Sequence, residues 1–245
     1  MFIIPMAGLS SRFFKAGYVK PKYQLVLPNN LSMFEWSMRS FEYYFKTDTF
    51  LFIVRDLYET QEFVKEKCTK LGILNFIIVV LSDETRGQAE TVYLGLKNII
   101  DKVDVLTEEV YVFNIDSYRH HFKKPNISKK CDGYIEVFQG EGDHWSFIEI
   151  NDSGKVIRTT EKERISNLCS DGLYFFKNVK KYLNLVEKGI EHNKFVKGEL
   201  YIAPLYNLII QEGGDIRYDL IDITDIEFCG TPTEFMDISN KMLGT

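Results

Sequence analysis

The sequence has no closely spaced cysteines. Its four cysteines, Cys68, Cys131, Cys169 and Cys229, are scattered along 245 residues, and no C-x-x-C pair occurs. Zinc centres and disulfide frameworks are recognised by such spacing, so the sequence argues against both. Buried, reduced cysteines of a cytoplasmic protein are the expectation that follows.

Long apolar runs and concentrated basic charge are also missing. No stretch approaches the roughly 18 apolar residues of a membrane span. The opening "FII" is too short for a secretion signal and is interrupted by Pro5. The formal net charge is -5, and no segment gathers basic residues on one surface. We therefore expect a cytoplasmic protein that has neither a membrane nor a nucleic acid as its partner.

The chain does contain an alternation of short apolar segments with longer amphipathic ones. Apolar residues make up 45% of the composition, which is enough for a large buried core. Strands are predicted at 2–6, 50–54, 75–81 and 109–114, with helices at 34–45, 59–71 and 88–101. This order predicts parallel strands with helices on both faces of a sheet.

After residue 115 the strand-like segments follow one another closely, which predicts hairpins in a mixed sheet. These segments lie at 133–138, 146–150, 155–160 and 168–176. Later helices are predicted at 178–190, at 198–211 and from 232 onwards, with strands at 215–219 and 226–229. Pro204 predicts a kink or a late start in the helix that contains it. Since no linker or repeat occurs, residues 1–245 are predicted to form a single α/β domain.

Glycine and small hydroxyl residues follow the first predicted strand in the segment "MAGLSSRF" (6–13). Ligands bind at the carboxyl ends of strands in open α/β sheets, and consecutive N–H groups in such a turn form an anion nest. Arg12 adds a guanidinium suited to phosphate oxygens. Lys22, in "KPK", follows closely in sequence. The residues alone leave two interpretations open: a loop that holds phosphates, and an ordinary turn with surface charges.

The pattern "GLSSRF", a short spacer and "KPKYQL" resembles the signature loop of the nucleotidyltransferases that make activated sugars. That family comprises sugar-1-phosphate nucleotidyltransferases and relatives that act on phosphocholine-like acceptors. The resemblance implies a three-layer, Rossmann-like (GT-A-like) fold with a mixed, mainly parallel central sheet. It also implies that Arg12 and Lys22 stabilise the pyrophosphate leaving group. Nucleotide contacts are then expected from the loop residues Ala7, Gly8, Leu9, Ser10 and Ser11.

Two further segments resemble the nucleotide and metal motifs of this family. "TRGQAET" (85–91) resembles a glycine before a helix whose first turn meets the base, so Gly87 and Gln88 are expected to contact base and ribose. A plain helix cap at Thr85 is the open alternative. "VFNID" ends a predicted strand at Asp116, where the family carries an aspartate that binds Mg²⁺. The neighbouring Asn114 has a weaker claim to the same site.

The acceptor site is implied by two other segments. "RTTEKERIS" (158–166) resembles a glutamate-lysine motif, with Glu163 in the position of the usual proline. By this resemblance Lys162 binds the acceptor phosphate, and Glu161 binds a hydroxyl or amine of the acceptor. Glu199, in "GELYIAP", resembles a glutamate that contacts the acceptor.

The segment "GEGDHWSF" (140–147) is the most unusual of the chain. Asp143 and Trp145 are candidates for the acceptor pocket, because an indole face suits a sugar ring or an ammonium group and a carboxylate binds hydroxyls or amines. A hairpin with a half-buried tryptophan is the alternative.

One position departs from the family pattern. "EFCGTPTEF" (227–235) resembles the final G-T-P element, but Phe228 stands where many members carry a second metal-binding aspartate. Glu227 and Asp225 are the candidate substitutes, and neither matches the spacing. A two-metal site therefore does not follow from the sequence.

Taken together, the resemblance implies transfer of a nucleoside monophosphate from an NTP to a phosphorylated small acceptor, with release of pyrophosphate and with Mg²⁺ as cofactor. The chain is short, like the cytidylyltransferases of the family, which favours CTP. A sugar 1-phosphate and a phosphorylated amine or amino acid are both open as acceptors. Precursor supply for a surface polysaccharide is the implied setting, and a homodimer is compatible with the family.

Two other functions are weighed against this one. A GT-A glycosyltransferase would consume a nucleotide sugar, but those enzymes carry a D-x-D motif where "NID" offers one carboxylate. A catalytically silent nucleotide sensor is the second alternative. The presence together of Arg12, Lys22 and Asp116 argues against it.

Overall fold

A computed structural model describes residues 1–244 and shows strands alternating with helices in the first half of the chain. The elements are β1 (Phe2–Met6), α1 (Ser11–Lys15), α2 (Met33–Met38), β2 (Thr49–Val54), α3 (Thr60–Leu71), β3 (Asn75–Val80), α4 (Gln88–Ile99) and β4 (Val110–Val112). Short 3-10 helices occur at Lys22–Gln24 and Arg39–Tyr44.

The second half is richer in strands. It contains β5 (Ser117–Arg119), β6 (Gly133–Gln139), β7 (Ser146–Ile150), β8 (Val156–Glu161), β9 (Leu168–Phe176), α5 (Val179–Glu191), α6 (Tyr206–Gln211), β10 (Ile216–Ile221), β11 (Ile226–Phe228) and α7 (Pro232–Leu243). Further 3-10 helices lie at Asn126–Lys130, Ala203–Leu205 and Ile223–Asp225.

One mixed sheet dominates the fold, in the strand order β10-β6-β9-β4-β1-β2-β3. Strands β4, β1, β2 and β3 are parallel, β10 is parallel to β6, and β9 runs antiparallel to both of its neighbours. The β7–β8 hairpin joins the sheet through β9, and β5 pairs separately with β11. The predicted mixed, mainly parallel Rossmann-like sheet is confirmed.

Alternate residues of β1 enter two different cores. Phe2 packs with other aromatic rings on one face of the sheet, and its ring centroid lies 5.0 Å from that of Phe50. Ile3 packs with aliphatic residues such as Leu51 and Val92 on the other face. Because both faces are covered, the strand has no reason to alternate with polar residues. Each such buried side chain contributes about 1.5–3 kcal/mol to the free energy of unfolding.

Two predicted helices differ from the observed ones. The helix predicted at 34–45 is α2 followed by a 3-10 helix at Arg39–Tyr44, and inside the latter the backbone of Phe41 leaves helical geometry (φ -114°, ψ 20°). The helix predicted at 198–211 has the late start that Pro204 indicates, since this proline lies in the 3-10 turn before α6. Strand β4 is also shorter than the predicted segment 109–114. Among residues 1–244, no helix is long and apolar enough to cross a membrane.

Candidate active site

A cleft of about 790 Å³ opens at the carboxyl ends of β1 and β4. Its walls come from the loop after β1, the start of α4, the hairpin β7–β8 and the segment after β11. The predicted site residues that line it are Ala7, Gly8, Leu9, Ser10, Ser11, Arg12, Lys22, Gly87, Gln88, Asp116, Trp145, Glu161, Lys162 and Glu199. Residues far apart in sequence therefore share one cavity.

The loop after β1 is joined to the "KPK" segment by a specific contact. Ser10 adopts the left-handed conformation (φ 53°), and its Oγ accepts a hydrogen bond of 3.1 Å from the backbone N–H of Lys22. The ammonium group of Lys22 contacts Asp116 Oδ2 in the segment between β4 and β5. Strand β4 ends at Val112, so Asp116 follows the strand and does not end it as predicted. Both side chains are half-buried, so a cation and a carboxylate meet at the floor of the cleft. The spatial association expected of these motifs is observed.

Arg12 lies on the cleft wall with its side chain exposed. Its charge reaches Tyr201 on the opposite wall, where it opposes a rise in the pKa of the phenol. That rise is caused mainly by burial and secondly by Glu199. The guanidinium keeps its fork of N–H donors available for an anion.

Gly87 allows an unusually close approach of two backbones. Its φ of 124° is rarely adopted by residues with a side chain, and an added Cβ would lie 2.7 Å from the carbonyl oxygen of Leu200. That oxygen accepts a hydrogen bond from the N–H of Ala89 (3.0 Å), and the N–H of Leu200 donates to the carbonyl of Arg86 (2.6 Å). Helix α4 is therefore attached to the segment that carries Glu199. Gly87 itself caps the helix, so the alternative of a Thr85 cap is not observed.

Gln88 is oriented by Asn114, which lies in the segment after β4. Its Nε2 donates to Asn114 Oδ1, and the space beside Asn114 exists because Gly172 has no side chain: a Cβ there would lie 2.2 Å from Asn114 Nδ2. Asn114 thus positions Gln88 at the cleft.

Glu161 and Lys162 occupy the end of β8 and are held by several contacts. Glu161 accepts a hydrogen bond from Ser146 Oγ, which in turn lies 3.1 Å from the hydroxyl of Tyr174. Burial raises the pKa of Glu161, while Ser146 and Lys162 oppose the rise. Lys162 has a left-handed backbone (φ 55°), uncommon for a residue with a side chain. Strained backbone of this kind is concentrated at ligand sites.

Tyr201 is a site residue that the sequence analysis missed. Its hydroxyl contacts the ammonium of Lys162, which also lies 4.4 Å from the centre of the Tyr201 ring. Glu199 is exposed and lines the cleft beside it. Tyr201 stands two residues after Glu199 in "GELYIAP", and this spacing in an extended segment places both side chains on one face.

In the segment 140–147, Trp145 lines the cleft and Asp143 does not. Trp145 is half-buried, packs at 4.8 Å from the ring of Phe228, and donates its indole N–H to the carbonyl of Glu141. Asp143 is exposed and lies outside the cleft lining. Trp145 is therefore a half-buried residue directly before the hairpin β7–β8, and it also lines the cleft.

Neither candidate for a second metal ligand faces the cleft. Glu227 pairs with Lys241 and with His120, while Asp225 lies near Arg119. Strand β11 turns its alternate side chains to opposite sides, so Phe228 faces the cleft and Glu227 faces away.

A different carboxylate approaches Asp116. Asp116 Oδ2 and Glu234 Oε2 would lie 2.8 Å and 3.7 Å from a Cβ built on Gly230. Glu234 also completes the capping box at the start of α7, by accepting from the N–H of Thr231. The sequence "GTPTEF" predicts a capping box with Glu234. Because that pattern already explains Glu234, the sequence does not indicate that this residue also lines the cleft.

Comparisons with known proteins agree with this geometry. No protein-family model matches the chain, and no curated protein does. Among solved structures, a nucleoside-diphosphate-sugar pyrophosphorylase from Vibrio cholerae RC9 is 50% identical with a TM-score of 0.94, covering 98% of this chain and 100% of that one.

Two more distant structures share the fold. The inositol-1-phosphate CTP transferase from T. maritima is 14% identical, with a TM-score of 0.73 and coverage of 98% and 96%. The CTP:phosphocholine cytidylyltransferase from Streptococcus pneumoniae is 16% identical, with a TM-score of 0.74 and coverage of 98% of each chain. Because the 50% identity with the Vibrio structure extends over 98% of the chain, the chain belongs to the family of nucleotide-sugar pyrophosphorylases and is a nucleotidyltransferase.

Proposed function

We propose that the enzyme transfers CMP from CTP to a phosphorylated small molecule and releases pyrophosphate. The observation that carries this proposal is the arrangement of Arg12, Lys22 and Lys162 around one cleft, with Asp116 in contact with Lys22. Three cations suit a site that must hold a triphosphate and an acceptor phosphate together. The choice of CTP rests on the two cytidylyltransferases that share the fold.

In the proposed reaction an oxygen of the acceptor phosphate attacks the α-phosphorus of CTP. A new P–O bond forms to the acceptor oxygen, the bond between the α-phosphorus and its bridging oxygen breaks, and the electron pair leaves with pyrophosphate. Arg12 and Lys22 stabilise the charge of the leaving group, and Lys162 orients the acceptor phosphate. Positioning and charge neutralisation supply the rate enhancement, so a covalent enzyme intermediate is not required.

The residues around Asp116 fit a Mg²⁺ ion. Magnesium in such enzymes is bound by one or two carboxylates together with substrate phosphates, and carboxylate oxygens of Asp116 and Glu234 both lie within 4 Å of the position that a Cβ of Gly230 would take. Among residues 1–244 no cluster of three acidic, histidine or cysteine ligands exists, so the protein would supply few ligands. Bound there, Mg²⁺ would neutralise phosphate charge. Asp116 and Glu234 would supply the protein's ligands, and Lys22, which contacts Asp116, would bind the phosphates.

The acceptor end of the cleft offers carboxylates as well as Lys162. Glu161 and Glu199 can accept hydrogen bonds from hydroxyl or ammonium groups, and Trp145 and Tyr201 supply ring surfaces. A sugar 1-phosphate or a phosphorylated amine or amino acid fits this chemistry. The proposed setting is cytoplasmic synthesis of surface-polysaccharide precursors. The proposal includes a homodimer, which light scattering of the purified protein tests.

Pyrophosphate release with a panel of NTPs and phosphorylated acceptors tests the proposal. Lys22→Ala should lower kcat/KM about 100-fold or more, because a preorganised charge on the leaving group is lost. Lys20→Ala is the matched control from the same "KPK" triplet, since Lys20 is exposed and outside the cleft lining. Equal rates for the two variants would refute the site.

Two other results would replace the proposal. Release of free nucleoside diphosphate from a nucleotide sugar would indicate a glycosyltransferase. Tight NTP binding without turnover on any acceptor would indicate a nucleotide sensor.

A further inference from the structure

A second cavity, of about 370 Å³, lies behind the nucleotide loop. It shares six lining residues with the cleft, namely Met6, Ala7, Gly8, Leu9, Ser11 and Tyr23. Its other lining residues belong to α1, to the "KPK" segment and to the segment after β2. The loop after β1 therefore lines both cavities, and the second one adds side chains that the proposed reaction does not use.

Aromatic and apolar side chains surround the mouth of this cavity. Phe14 and Tyr58 stack with ring centroids 5.4 Å apart and planes inclined by 24°. Leu9, Leu57 and Tyr58 are 44%, 42% and 53% exposed. Exposed large apolar side chains around one opening are typical of a ligand-binding surface.

The backbone beside the cavity is held in an unfavourable conformation. Tyr58 and Glu59 are consecutive non-glycine residues with left-handed φ values of 59° and 55°. The carbonyl of Tyr58 accepts a hydrogen bond of 2.8 Å from Gln24 Nε2, which fixes this conformation. Because strained backbone persists only where the surroundings enforce it, the position of the Tyr58 ring is imposed by the fold.

The charged residues that line the cavity are all basic. Lys15 and Arg55 are lining residues, and the lining contains no carboxylate. Arg55 uses Nη1 to reach Glu84 at 3.2 Å, which leaves most of its five N–H donors for other partners. Two stacked rings combined with two cations select a planar molecule that carries a negative charge.

We infer that this cavity is a second binding site, specific for a small planar aromatic anion. The inference does not rest on the proposed function, because it uses the cavity and its charges alone. Glu84 lines the cleft while its partner Arg55 lines the second cavity. Occupancy of the two sites is therefore expected to be coupled through the loop and this ion pair, with equal effects in both directions.

Fluorescence titration with 8-anilinonaphthalene-1-sulfonate tests the site, because this probe is itself a planar aromatic anion. Tyr58→Ala should weaken probe binding about threefold to tenfold, as expected for the loss of an aromatic stacking contact. Tyr43→Ala is the matched control, since Tyr43 is 73% exposed and lies outside the cavity. Melting temperatures confirm that both variants are folded.

Competition experiments distinguish the possible sources of the ligand. Displacement by cytidine 5′-monophosphate from the wild type but not from Tyr58→Ala would indicate a nucleotide. Displacement by indole-3-acetate, but not by the uncharged indole-3-acetamide, would indicate another aromatic acid. Displacement by none of them would overturn the assignment.

Two further results would also overturn the inference. The first is equal probe affinity of the Tyr58→Ala and Tyr43→Ala variants. The second is an apparent dissociation constant of the probe that rises without limit as CTP is added. Such a rise indicates direct competition, in which the probe and CTP bind to the same site in the cleft. A finite change that levels off at saturating CTP supports two coupled sites. Failure of CTP to bind would refute the proposed function and leave the Tyr58 comparison valid.

Discussion

A buried group of acids beneath the cleft makes the stability of the protein depend on pH. Asp171, Glu136 and Asp219 lie around the guanidinium of Arg119, whose Nε donates to Glu136 Oε1 over 2.7 Å. Burial, and after it the charge of Glu136, raises the pKa of Asp171 well above its usual range. Burial also raises the pKa of Glu136 and of Asp219. The folded protein therefore holds protons that the unfolded chain releases.

The cost of losing the Asp171 proton follows from its surroundings. Asp171 Oδ2 accepts no hydrogen bond within residues 1–244, and a protonated Asp171 can donate to Glu136. An unpartnered buried polar group costs about 1–3 kcal/mol. A raised carboxyl pKa contributes stability that is complete below the unfolded value of 3.8 and is lost as pH rises towards the folded value.

Asp171→Asn removes this titration and keeps a donor for Glu136. Relative to the wild type, the variant should gain about 1–3 kcal/mol in the free energy of unfolding as the pH rises above the unfolded pKa of 3.8. Urea denaturation at several pH values, followed by tryptophan fluorescence with unchanged m-values, measures the difference. Asp152→Asn, in an exposed turn, is the control. Parallel pH curves for wild type and Asp171→Asn would refute the reasoning.

Two further predictions concern the cleft. Gly87→Ala should reduce nucleotide binding and lower the free energy of unfolding by more than about 1 kcal/mol. The added Cβ would clash with the backbone of Leu200, and alanine rarely adopts the φ of this position. Gly154→Ala is the control for the backbone strain alone, because Gly154 has a φ of 71° and open space around it. Tyr201→Phe removes the hydroxyl that contacts Lys162, so steady-state kinetics should show a KM for the acceptor raised about threefold to tenfold, and an equal rise in the KM for CTP would contradict this role.

Much of the fold and part of the site could be predicted because they depend on local pattern. Continuous apolar runs predicted the strands β1 to β3, since strands covered on both faces have no polar side. Lys22 and Asp116 were predicted as partners of one site because the carboxyl ends of parallel strands share an edge. Tyr201 could not be predicted, because its contact with Lys162 depends on how the segment 199–201 crosses the start of α4.

The sequence by itself determined the class of sheet and predicted the loop after β1 together with fourteen of the residues that line the cleft, since these follow from hydrophobic periodicity and short motifs. The tertiary structure decided which carboxylate faces Asp116: strand alternation turns Glu227 away, and the capping of α7 brings Glu234 to the cleft. It also created the cavity behind the loop, where Phe14 and Tyr58 meet across 44 positions of sequence. Contacts of this kind arise from packing between separate elements, which no local pattern encodes.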